Sequence, residues 1–156
     1  MRAPPLVIAA AGLALAACNP TAPKGVDKAR LDGAISKAIG DPNTCVLLVK
    51  AGGGEVVYRY GDYSTCARSM PACSQPGMLN ADELARAAAG GDARTASCAS
   101  AADGSRRVGW ASGPVAKSEG ARYGDLVYAA VMEGPTVLPG MAIKARLEAA
   151  LKRAGM

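Results

Sequence analysis

Five cysteines carry most of the chemistry open to this chain, and they divide by position. Cys18 stands alone near the start, while Cys45, Cys66, Cys73 and Cys98 lie in the body. An even set of four in an exported chain reads as two disulfides, with three possible pairings. Cys66 and Cys73 flank the short segment ARSMPA, which could close on itself and leave Cys45 to join Cys98; this is the preferred pairing. The competing scheme joins Cys45 to Cys66 and Cys73 to Cys98. No Cys-x-x-Cys and no histidine accompany them, which argues against a metal centre and a redox-active pair. The lack of histidine also removes Ser-His-Asp and Cys-His catalysis. The carboxylates Asp62, Asp82, Glu83, Asp92, Asp103, Glu119, Asp125 and Glu133 are scattered. Asp82 and Glu83 suit a helix start and Asp103 a turn. Glu133 is the one to inspect for a pocket, although a solvated strand end explains it more simply. Arg106 and Arg107 near Trp110 could bind an anion or a partner; the plainer reading is an exposed hairpin with one core indole.

The elements around Cys18 say where such a chain is sent. Arg2 adds charge to the start, an uncharged apolar run covers Leu6 to Ala17, and small residues precede the cysteine. This is the build of an export signal, too short for a membrane span of about 20 residues. Leu15-Ala16-Ala17-Cys18 resembles the lipobox of bacterial lipoproteins. The resemblance implies cleavage before Cys18, a diacylglycerol on its sulfur and an acyl chain on its freed amine. Two or more chains anchor stably where one does not. Asn19 and Pro20 follow in place of the aspartate that holds such proteins at the inner membrane. The expected location is therefore the periplasmic face of the outer membrane, if the source has one.

Residues 1–17 are thus expected to be the signal, 18–26 the lipidated cysteine and a tether, and 27–156 one domain. Its length, about 130 residues, is ordinary for a single domain. There is no Phe and one Trp, so the core must come from Val, Leu, Ile, Met and Ala, with five Tyr at its margins. The net charge is +5, of which signal removal takes Arg2 alone. This mild excess suits an anionic envelope polymer or surface. No dense basic patch with interleaved aromatics points to nucleic acid, and no motif calls for a cofactor.

Asp27 should cap a helix over Lys28–Ile39, with Val26 and Leu31 as a hydrophobic staple. Strands follow at Thr44–Lys50 and Glu55–Tyr60, joined by Ala51–Gly54. In the second, Val56, Tyr58 and Tyr60 share one face, Val57 and Arg59 the other. The glycines there lack the Lys-Ser/Thr of a phosphate loop. Residues 61–78 read as loop. Asn80 and Glu83 make a capping box for a helix over Ala81–Ala89. Strands over Arg94–Ser100 and Ser105–Ser112 flank the Asp103-Gly104 turn. An apolar strand, Leu126–Met132, and an amphipathic helix, Gly140–Ala154, complete the chain. The expected fold is α+β: a five-stranded antiparallel sheet in the order 2-1-5-4-3, helices at both termini packed on one face, and one short middle helix.

This order of elements resembles roadblock or profilin-like binding and scaffolding domains. It is also similar to the α/β half of class D β-lactamases and penicillin-binding proteins, through CVLLVKAGGGEVVYRYGD and VGWASGP…DLVYAAVMEG. The second family's Ser-x-x-Lys does not carry over: Ala67, Ala72 and Gly77 stand three residues after Ser64, Ser69 and Ser74. There is no Lys-Thr-Gly and no all-helical half. The expectation is a non-enzymatic envelope lipoprotein that binds or scaffolds an envelope protein or anionic polymer. The alternative is a catalytically inactive relic of the penicillin-recognising fold.

Overall fold

The computed structural model describes residues 21–116 and 122–156. Cys18, the lipobox and Glu119 lie outside the described residues. The elements are α1 (Lys28–Ile39), β1 (Thr44–Lys50), β2 (Val56–Tyr60), α2 (Tyr63–Ala67), β3 (Met70–Pro71), β4 (Met78–Leu79), α3 (Ala81–Ala89), β5 (Thr95–Ala99), β6 (Arg107–Pro114), β7 (Leu126–Gly134) and α4 (Gly140–Arg153). The class is α+β around a five-stranded antiparallel sheet. Its order is β2-β1-β7-β6-β5. This numbering departs from 2-1-5-4-3 because β3 and β4 pair as a separate ribbon that falls, but for Leu79, within 61–78, the stretch expected as loop. Helix α2 is likewise additional, so helices are not confined to the termini and the middle.

The apolar runs in β1 and β7 decide the sheet's centre. β7 is buried at every position and β1 at all but Lys50, since both faces of these strands are covered. On one face, α1 and α4 place Leu31, Ile35, Ile143, Leu147 and Leu151 against Val46, Leu48 and Ala130. On the other, α3 sets Leu84 and Ala85 beside Leu47, Val49, Ala129 and Val131, with Trp110 in the same cluster.

The helix starts behave as their capping residues require. The Arg30 amide donates to Asp27 Oδ1 at 2.7 Å, and Asn80 and Glu83 form both halves of a capping box.

Two expectations about packing are corrected. Tyr58 and Tyr128 are not marginal: both are fully buried, because a Phe-free core recruits their rings while their hydroxyls reach helical carboxylates. Val56 does not share a face with Tyr58 and Tyr60. The register slips between Leu48 and Val49, a bulge at Val57. Val56 is thereby turned toward the α3 side, and Val57 joins Tyr58 and Tyr60 on the α1–α4 side. The described part of the tether packs on the domain. Pro23 is buried, Ala22 and Val26 pack on the core, and the Tyr123 hydroxyl donates to the Lys24 carbonyl at 3.3 Å.

The disulfides are Cys45–Cys66 and Cys73–Cys98, with Cα atoms 5.2 and 5.4 Å apart. The preferred pairing is overturned and the competing one holds. Gly61 supplies the reason for the first bridge. At φ +91° it turns the chain straight back over β1, so closely that a Cβ would lie 2.3 Å from the Thr44 carbonyl oxygen. Helix α2 then lays Cys66 beside Cys45, with both buried. Cys73 is carried instead on the β3–β4 ribbon, which lies under β6 and is held there by the Trp110 indole donating to the Pro71 carbonyl at 2.8 Å. From there it reaches Cys98 on β5.

Candidate functional site

Two places gather charged side chains, at opposite ends of β7 and about 24 Å apart along the strand. The first surrounds Glu133. Its carboxylate accepts from Arg106 Nε at 2.7 Å and Arg106 Nη2 at 2.6 Å. The Ser100 hydroxyl donates to it at 2.8 Å, and Arg68 Nη1 stands 3.6 Å away. Glu133 is 6 % exposed, so it is no solvated strand end. A carboxylate at the end of a covered strand survives burial only by being paired, and the β5–β6 turn brings both donors to it. These hydrogen bonds, above all those of Arg106, hold its carboxyl below the usual carboxylate range. Such a group is a poor proton shuttle: it stays ionised, and its oxygens are already engaged. The cluster ties β7, the β5–β6 turn and the segment after α2 together.

Its pH dependence follows from the sign of that shift. A carboxyl whose folded pKa is depressed stabilises the fold above its unfolded value, about 4.3, and loses that contribution as pH falls through the folded pKa. Glu133→Gln is therefore expected to melt a few degrees below wild type at neutral pH. The gap should close as pH drops well below 4, which thermal melts across a pH series will read. A gap that persists unchanged in acid would contradict the assignment.

Arg106, Arg107 and Trp110 do not form a ligand patch. Arg106 is engaged by Glu133, Arg107 is exposed, and Trp110 is wholly buried. The remaining carboxylates serve local structure. Asp82 and Glu83 sit in the first turn of α3, Asp103 accepts from Ser105, Asp92 pairs with Arg94, and Asp62 precedes α2. Ser64, Ser69 and Ser74 are exposed.

Two buried tyrosines each have a lysine at hand, the residue types of an acid–base pair. The Tyr58 hydroxyl donates to Asp32, itself paired with Lys28. The Tyr128 hydroxyl donates to Glu148, itself paired with Lys144. Burial and the adjacent carboxylate push both phenols away from ionisation. The two matching latches fasten α1 and α4 to the sheet. No group of three or more His, Cys, Asp or Glu side chains able to hold a metal occurs among the described residues.

The second place is a cavity of about 490 Å³, in the range of small-molecule sites. It opens where the docked tether crosses the end of β1 and the start of β7. Val57, Tyr123 and Leu126 form apolar walls, with Pro23 and Gly25 along the tether side. Lys24, Lys50 and Arg122 bring positive charge; Asp125 brings one carboxylate. Glu55 accepts from Lys50 at 2.8 Å and holds it firmly protonated. Gly25, at φ +87°, lets the Arg122 guanidinium lie against the tether: a Cβ there would stand 3.2 Å from Nη1. None of the candidate residues singled out from sequence lies here except Asp125. The cavity joins segments far apart in the chain, and no local pattern marks it.

Known protein families, curated proteins and solved structures yield no match to this chain. Among the described residues, no helix is long and apolar enough to cross a membrane.

Proposed function

We propose that the chain is a cell-envelope lipoprotein, held by lipid on Cys18, whose domain binds or scaffolds an envelope component without catalysing a reaction. The observation that supports this best is the disulfide pair. All four body cysteines are oxidised in a domain that begins a few residues after a lipobox-like Leu-Ala-Ala-Cys. Disulfides belong to oxidising compartments, which an export signal supplies. The binding role draws on the covered sheet faces and on buried polar groups that are spent on each other rather than aimed at a cleft. The location that follows is the periplasmic face of the outer membrane.

Growth on labelled palmitate tests the anchor. Wild type is expected to carry label and to sediment with membranes; Cys18→Ser should lose the label entirely. Label retained by Cys18→Ser, or absent from wild type, would defeat the reading.

A further inference from the structure

The cavity beside the tether has a charge, a shape and a position that together specify a ligand. Its position follows from reach. Pro23 is five residues past Cys18, so even a fully extended chain keeps it within about 18 Å of the anchor. The docking of residues 21–26 removes the slack that a free tether would have. Pro23 is buried, the Val26 amide donates to the Pro23 carbonyl at 3.0 Å, and Tyr123 holds the Lys24 carbonyl. A chain anchored at Cys18 must therefore hold this end of the domain, with its opening, close to the lipid head groups.

Charge and shape agree with that place. Lys24 and Arg122 are exposed cations on the rim, and Lys50 is a third whose charge Glu55 largely answers. Asp125 offsets part of the excess but leaves it positive. Behind the rim the walls are apolar, made by Val57, the Tyr123 ring and Leu126. An anionic phosphate with a glycerol and the start of an acyl chain behind it has the same arrangement: charge outermost, hydrocarbon within. Cationic side chains near a membrane surface attract anionic lipid in this way.

We propose that this cavity receives the head group of an anionic glycerophospholipid, its phosphate between Lys24 and Arg122. The proposal rests on the Cys18 anchor for its geometry. Occupancy would set the orientation of the domain on the membrane, with α1, which begins three residues after Gly25, held at a fixed angle to the surface.

Native mass spectrometry of the full chain, released from neutral detergent, tests this with three probes at equal concentration: dihexanoylphosphatidylglycerol, dihexanoylphosphatidylcholine and inorganic phosphate. The expected result is one phosphatidylglycerol adduct, about tenfold or more above the other two probes. Lys24→Ala with Arg122→Ala should reduce it about tenfold, while Lys37→Ala with Arg146→Ala, which removes equal charge elsewhere, should leave it unchanged. Equal retention of the choline lipid would overturn the proposal, as would equal retention of phosphate alone or an equal loss in the control variant. The same spectra show whether Cys18 is acylated. An acylated chain with no adduct rejects the cavity and leaves the anchor; an unacylated chain with a selective adduct rejects the anchor and leaves the cavity.

Discussion

Removal of both disulfides is expected to cost the domain about 6 kcal/mol, enough to unfold much of it at physiological temperature. The bridges close loops with separations of 21 and 25 residues. In the chain-entropy account each such loop contributes about 3 kcal/mol by restricting the unfolded chain. The two loops are sequential and share no residues, so their contributions should add. Against a typical net stability of about 5–15 kcal/mol, that sum decides whether the fold persists. Urea titrations of Cys45→Ala/Cys66→Ala and Cys73→Ala/Cys98→Ala, each as a pair, will apportion it. The first pair should cost more, since Cys45 and Cys66 are buried and their removal also leaves a void, whereas Cys73 and Cys98 are half-buried. A loss below about 1 kcal/mol for either pair would contradict the account.

Trp110→Ala is expected to cost about 3–5 kcal/mol, the range for emptying a buried aromatic site. The indole is wholly buried on β6 among the side chains that α3 and the ribbon bring to that face. Its Nε1 also donates to the Pro71 carbonyl, which fastens the ribbon to the sheet. Trp110→Phe should cost less, about 1–2 kcal/mol, by leaving that carbonyl without its donor. Because Cys73–Cys98 pins the same ribbon, combining Trp110→Phe with loss of that bridge should depart from additivity. Trp110 is the only tryptophan, so intrinsic fluorescence follows the wild-type site directly during unfolding. Circular dichroism serves for the variants. A cost under about 1 kcal/mol for Trp110→Ala would mean that the ribbon's seat does not depend on the ring.

The local devices of this fold were legible in its residues. Asn80 and Glu83 announce a capping box, Asp27 a cap, and the apolar runs of β1 and β7 the centre of the sheet. The ribbon and α2 were not legible: β3 and β4 have two residues each, too few for any periodicity. The choice between disulfide pairings was not legible, for an energetic reason. Loop-closure cost grows only logarithmically, so one short and one long loop total nearly the same as two of middling length. Entropy could not choose between the schemes; the return of the chain at Gly61 did. Glu133 reads from sequence as a pocket candidate or a solvated strand end and is neither; its buried pairing was not legible because its partners Arg106 and Ser100 lie 27 and 33 residues away in sequence. No local pattern marks the cavity, because residues from the tether, three strands and the segment before β7 build it jointly.

The anchor at Cys18 is the claim on which function and location both depend. The most direct measurement is the intact mass of the chain isolated from membranes, with fragmentation of its first residues. A chain that begins at Cys18 and carries a diacylglyceryl group on sulfur and an acyl group on its amine is the predicted result. A chain that still begins at Met1, or one with an unmodified Cys18, would contradict it.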